Sequence, residues 1–205
     1  MGRLYGSLMD IHGAFLKGQF GVGEQLHMHV PQGFEQYYGY NMVLLLLKTI
    51  YGLVQSAYAF WRIILAAFAS MEYKRSKIDP CLFYKWTEHY GLQIWMTWID
   101  DCCSVGTKEA VLSAKKKLSD YFKGECDDGG DLNEYVGCKI DYNHEEGWIR
   151  LTQPVLIQSF TDEYDLPKDG ETPVTPAIPG KILTESDTIL SKAKHTYFRS
   201  GVGKL

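Results

Sequence analysis

A chain of 205 residues is long enough for one domain with a sizeable core, and its 45% hydrophobic, 14% aromatic and 22% charged residues exclude a disordered or fibrous class. The formal net charge of -4 argues mildly against a protein that grips nucleic acid by bulk charge, although basic residues cluster at Lys74, Arg75 and Lys77 and again at Lys115, Lys116 and Lys117. Five cysteines without a CxxC pair suggest neither a disulfide framework nor a cysteine-based zinc site and read as reduced thiols of an intracellular protein, and no apolar run or leader pattern suggests a membrane role.

In chain order, residues 4–11 form an expected strand that ends near Asp10, followed by a turn around Gly13 and Gly18. Residues 21–40 are rich in Gly, Pro and Tyr and predict irregular or hairpin structure. From Gly52 onward Leu53, Ala57, Phe60, Trp61, Ile64, Leu65 and Phe68 recur in steps of three and four, the apolar face of a helix. Two strand-like runs, 81–86 and 92–99, flank a turn at 88–91, and the second stops at Asp100 and Asp101. A second amphipathic helix is expected over 108–122, with Thr107 as its N-cap, Val111, Ala114, Leu118 and Tyr121 inward and Lys115 to Lys117 largely outward. Strands fit 133–142 and 148–152, and a helix with proline in its first turn fits 154–164. The four prolines between 166 and 180 favour an extended linker, and residues 181–205 are too short for a core of their own. The order is mixed α+β.

Asp10 at one strand end and Asp100-Asp101 after another are acids flanked by apolar strand residues. Carboxylates crowded together repel one another unless a cation sits among them, and a hard ion such as Mg2+ takes oxygen ligands and phosphate oxygens alike. Two such ions would suit in-line phosphoryl transfer. By spacing alone the plainer alternative stays open: Asp100 and Asp101 form a hairpin turn and Asp10 caps the segment after it.

Around these acids, Trp98-Ile99-Asp100-Asp101 resembles the aromatic-x-Asp-Asp box of reverse transcriptases. The segment from Asp10 to Gly18 resembles the DVKTAFLNG stretch of copia-type elements, and Lys48 to Ala57, KTIYGLVQSA, is similar to their KSLYGLKQAP signature. Lys74 to Phe83 resembles FKRSKSDPCLY, Tyr135 to Ile140 resembles FLGIEI, and Leu151-Thr152-Gln153 resembles ISQ. Residues 197–203 resemble a YRSLVGSL stretch that leads in the family toward the connection and RNase H.

The resemblance implies an α+β polymerase palm: an antiparallel sheet with helices packed on one face, covering 1–165 with a partial fingers insertion at about 19–50. A linker at 166–180 and the start of a thumb or connection region at 181–205 would come next. It implies RNA-directed DNA polymerase activity, with Asp10, Asp100 and Asp101 as metal-binding acids for two Mg2+ ions, Mn2+ substituting, and the backbone oxygen of Ile11 as a further ligand. Phe15 falls where a bulky ring would clash with a ribose 2′-hydroxyl. Tyr51, Gly52 and Gln55 fall at the nucleotide-facing helix start. Ile99 and the turn Val136-Gly137-Cys138 fall at primer and template contacts. Implied partners are an RNA template with a DNA primer, dNTPs, and the fingers, thumb and RNase H segments of a parent polyprotein. The setting that the resemblance implies is intracellular, a cytoplasmic virus-like particle of a parent element whose DNA copy is integrated.

Each role has a plainer alternative: Phe15 as a core aromatic, the Tyr51 segment as a helix cap, and Val136 to Cys138 as ordinary strand. Val54, Ala57 and Tyr58 depart from the family's Lys, Pro and Arg, which removes template-side charge. Only nine residues precede Asp10, so the basic fingers residues are expected to be missing and activity weak. A catalytically inactive retroelement fragment that binds RNA or protein is the non-enzymatic alternative; a nucleotide cyclase could share the fold, but its glycine-rich box has no counterpart here. His27 and His29 share one strand face without a third ligand, and Cys102, Cys103, Phe60, Trp61 and Phe68 are expected in the core.

Overall fold

The computed structural model describes residues 4–39, 41–143, 145–164 and 190–204; the linker expected at 166–180 lies outside them. The chain divides into two units, Met1–Val136 with Ile140–Ile149, and Gly137–Lys139 with Arg150–Leu205.

The first unit opens with β1 (Tyr5–Ile11), the short helix α1 (Ala14–Lys17), and β2 (His27–His29), which pairs antiparallel with β3 (Val43–Leu45). The helix α2 (Val54–Ser70), strands β4 (Lys74–Arg75), β5 (Leu82–Thr87), β6 (Gly91–Trp98) and β7 (Asp101–Gly106), the helix α3 (Lys108–Tyr121), and strands β8 (Cys126–Asp131) and β9 (Glu134–Tyr135) come next. β10 (Cys138–Asn143) and β11 (Trp148–Thr152) each cross the boundary between the units.

Six strands form one antiparallel sheet in the order β4-β5-β6-β7-β1-β8. The first strand is thus inserted between two that come late in the chain, and this brings Asp10 to Asp101. Along β1, Ser7, Met9 and Ile11 are buried while Gly6, Leu8 and Asp10 are less so, the period of two that separates a sheet's faces. Met9, Ile11 and Cys102 lie in one cluster with Phe60, Ile64 and Phe68 of α2 and Ala114 and Leu118 of α3. Phe68 stacks on Phe83 at 4.4 Å and contacts Trp95 at 5.5 Å. Each such aromatic contributes about 1.5–3 kcal/mol through burial. On the opposite face Leu8, Cys103 and Val105 pack with Leu132, Tyr135 and Ile140 in a smaller cluster.

Three expectations need correction. The inward face of α2 is rotated, with Ser56 and Ala59 buried and Ala57 exposed. In α3 Lys115 is buried, at 6% exposure, whereas Tyr121 is 42% exposed. Lys115 turns inward because its amine finds three acceptors on β1 and β8. Thr107 is the N-cap residue of α3, as expected, although its hydroxyl makes no capping bond and is buried without a partner. Asp101 is the first residue of β7 rather than part of a turn, and neither β7 nor β8 is among the strands expected from the sequence.

In the second unit, α4 (Pro154–Glu163) begins with proline at its N-terminus and α5 (Lys192–Lys204) packs against it. The Tyr164 hydroxyl donates to the Tyr197 carbonyl at 3.1 Å, the Tyr197 hydroxyl donates to the Glu163 carbonyl at 3.1 Å, and Lys204 pairs with Glu163. No helix among the described residues is long and apolar enough to cross a membrane.

Candidate active site

Antiparallel pairing sets Asp10 directly opposite Asp101, and the ladder closes with the Ile11 amide donating to the Asp100 carbonyl at 3.2 Å. β6 and β7 are joined through Ile99 and Asp100 alone, since Trp98 pairs with Asp101. Ile99 adopts φ 57°, a left-handed conformation that costs a β-branched residue roughly 1–3 kcal/mol. A strained residue thus holds the tight hairpin that presents the acids.

Burial, then the charges of Asp100 and Asp101, push the Asp10 carboxyl above its usual range; burial and Asp100 do the same to Asp101. Oxygen donors that oppose their own ionisation in this way fit a hard divalent cation, which removes the repulsion. Of the three acids named from the sequence, Asp10 and Asp101 are cross-strand partners with Asp100 next in the hairpin, but the three do not place one carboxylate oxygen each within 4.8 Å of one another.

Two further residues, neither of them singled out by the sequence motifs as a ligand, stand beside the acids. Asp127 of β8 is the partner of Asp10 on its other side, and His12 Nε2 lies 2.8 Å from Asp127 Oδ2. The signal for His12 was its place two residues after Asp10, where strand alternation returns to the same face. Asp127 carried no comparable signal, because the run Cys126-Asp127-Asp128-Gly129-Gly130-Asp131 is poor in strand-forming residues.

β8 is held to β1 through Lys115, whose Nζ donates to Ser7 Oγ at 2.8 Å, to the Leu8 carbonyl at 2.6 Å and to Asp128. Ser7 Oγ in turn donates to the Gly130 carbonyl at 2.7 Å. The pairing is irregular between Ser7 and Met9, and a Cβ on Gly129 would lie 2.6 Å from Leu8 Cβ. Only glycine permits that approach.

Phe15 and Tyr51, expected to face a nucleotide, meet edge to face with ring centroids 5.2 Å apart. Buried Thr49 ties the two segments together by donating to the Phe15 carbonyl at 2.6 Å, and it packs where a Cβ on Gly18 would stand. Gly52 has φ 88° with open space beside it, and Gln55 is half-buried in the first turn of α2. Val136 and Gly137 both take positive φ, 48° and 74°, which makes a tight turn between β9 and β10 rather than continuous strand; Cys138 comes directly after it.

His27 and His29 are both exposed on β2, and no third ligand joins them among the described residues. Cys102 and Cys103 are buried core residues; burial pushes the Cys103 thiol up to about 11, so neither is a ready nucleophile.

A pocket of about 320 Å³ next to the acidic hairpin is lined by Tyr58, Trp61, Ile64, Thr97, Trp98 and Ile99. A second groove, of about 640 Å³, is rimmed by Lys17, Lys48, Arg62 and Lys123, with Lys17 paired to Glu125. These cations are scattered along the chain, so no basic run pointed to them.

The family model described as "Reverse transcriptase (RNA-dependent DNA polymerase)" matches residues 6–179. The retrovirus-related Pol polyprotein from transposon TNT 1-94 of Nicotiana tabacum is 29% identical over 170 residues, 82% of this chain. The chain spans 12% of that relative's length. Both agree with the resemblance read from the motifs.

Proposed function

The chain belongs to the reverse transcriptase (RNA-dependent DNA polymerase) family, and from that premise we propose that it carries the palm, with a partial fingers insertion, of a copia-type RNA-directed DNA polymerase. The observation that supports this most is the cross-strand pairing of Asp10 with Asp101, next to Asp100 in a two-residue hairpin. In this reading the primer 3′-hydroxyl attacks the α-phosphate of a dNTP and pyrophosphate leaves. Asp10, Asp100 and Asp101, with the Ile11 carbonyl, would hold two Mg2+ ions. Such ions supply charge neutralisation at the attacking and leaving oxygens.

The protein's own part is positioning. The Ile99 hairpin and the β1–β7 ladder fix the carboxylates, so little reorganisation is needed when substrate arrives. Phe15, braced by Tyr51 and by the Thr49 bond to its carbonyl, is assigned the discrimination against a 2′-hydroxyl. Gly52 leaves room for a base or sugar at the start of α2, beside Gln55. Ile99 and the Val136-Gly137-Cys138 turn are assigned to the primer and template. The cationic groove gives an otherwise acidic chain a place where phosphates are attracted. The partners would be an RNA template, a DNA primer and further segments of a Pol polyprotein, inside the cell in the particle of its element.

Primer extension by the purified chain on poly(rA)/oligo(dT) with Mg2+ or Mn2+ tests the reading, with the double variant Asp100→Asn, Asp101→Asn as control. Extension that disappears in the control supports it. No extension from a folded protein that still binds Mn2+ would move the assignment to a binding module without turnover.

A further inference from the structure

Beside the acids assigned to catalysis, Asp10, His12 and Asp127 place one ligand atom each within 4.8 Å of one another. We propose that these three residues form a second metal site, overlapping the catalytic acids at Asp10 and suited to a borderline ion such as Zn2+ rather than to Mg2+. The placement comes from backbone register. Asp10 and Asp127 are direct partners across β1 and β8, and the His12 amide donates to the Glu125 carbonyl at 3.1 Å, which extends the ladder one residue past the end of β1. His12 therefore returns to the face of Asp10, diagonal to Asp127.

The donor set decides the ion. Mg2+ favours oxygen ligands in octahedral arrangement, whereas one imidazole nitrogen with two carboxylates suits Zn2+, Co2+ or Mn2+ and leaves coordination positions for water. The neighbouring Asp128 is not available to such an ion, because it pairs with Lys115 on the other side of the sheet. Asp127 has the His12 imidazole instead.

His12 and Asp127 have no place in the catalytic assignment, but Asp10 is shared with it. One consequence rests on the polymerase reading: an ion here withdraws Asp10 from Asp100 and Asp101, so Zn2+ would inhibit Mg2+-dependent extension. The binding itself does not rest on that reading.

The test is calorimetric titration of the full chain with Zn2+, with Co2+ as a spectroscopic probe. The expected result is one ion whose affinity falls at least about tenfold in His12→Ala and in Asp127→Asn, and which survives in the Asp100→Asn, Asp101→Asn double variant. Co2+ should show visible ligand-field bands without a sulfur charge-transfer band. His12→Gln keeps a hydrogen bond to Asp127 while removing the ligating nitrogen, and serves should His12→Ala fail to fold. Affinity indifferent to both His12 variants overturns the site. So does loss of binding in the Asp100, Asp101 variant, or a thiolate band that assigns the ion to Cys126. None of these readouts requires turnover, so failure of the polymerase reading would leave the result intact.

Discussion

Asp10 and Asp101 face each other directly on neighbouring antiparallel strands, two like charges held in register at one end of the sheet. Such a pair destabilises the folded chain by roughly 0.2–1 kcal/mol unless a cation joins it. Asp101→Asn should therefore raise the melting temperature of the metal-free protein, by a few degrees at most by the usual scaling of about 2–4 °C per kcal/mol. The same variant should lose the stabilisation that Mg2+ gives the parent chain. Differential scanning fluorimetry with and without Mg2+ reads both effects, and a variant that melts lower without metal would contradict the account.

Lys115 works in the opposite sense. Its amine bridges Ser7, Leu8 and Asp128, and Lys115→Met should cost about 2 kcal/mol in urea unfolding through lost charge-assisted hydrogen bonds. The Lys115 ammonium, and then the Gly130 amide, hold the Asp128 carboxyl below its usual range. That contribution is present above the carboxylate's unfolded value and is lost as pH falls through its lowered folded value. The variant should show a shallower loss of stability on acidification than the parent.

At Gly129 a methyl group would meet Leu8 Cβ at 2.6 Å and the Leu8 carbonyl carbon at 3.0 Å. Because backbone must shift to admit it, Gly129→Ala is expected to cost about 2 kcal/mol. Amide hydrogen exchange should quicken along β8 before it does along β6.

Phe15→Ala tests nucleotide selection. Removing the ring should raise ribonucleotide relative to deoxyribonucleotide incorporation, as a ratio of kcat/KM, by roughly 10- to 200-fold. Tyr51→Phe, which keeps the edge-to-face contact, should leave that ratio near the parent's. An unchanged ratio in Phe15→Ala would remove Phe15 from this role.

The elements legible in the sequence were those with strong periodicity: β1, α2, the β5–β6 hairpin, α3 and α4. The acids at 10, 100 and 101 stood out at the ends of apolar runs, but spacing alone left turn and cap roles open, and their assignment as metal ligands came from the family motifs around them. β7 was hidden by its neighbours, since Cys102, Cys103 and Ser104 are small residues without the β-branched pattern of a typical strand. β8 was hidden because its pairing rests on Lys115 and on a glycine bulge, which are long-range features. Lys115 itself sits in a run of three lysines that looks like a solvated face, and only its acceptors on β1 and β8 distinguish it from Lys116 and Lys117. The Asp10–Asp127 neighbourhood depends on strand order, which a single sequence does not encode locally.

The two outer strands of the main sheet differ in an informative way. β4 is two residues long and both are cationic, whereas β8 is acidic and kinked by its paired glycines. An outer strand of either kind is a poor template for another chain, since charge, shortness and bulging all block intermolecular pairing. Replacing Asp127, Asp128 and Asp131 with threonine or valine would strip the charge from that border and leave only the glycine bulge to block pairing with another chain. The acids of β8 thus help to keep the protein from polymerising with copies of itself.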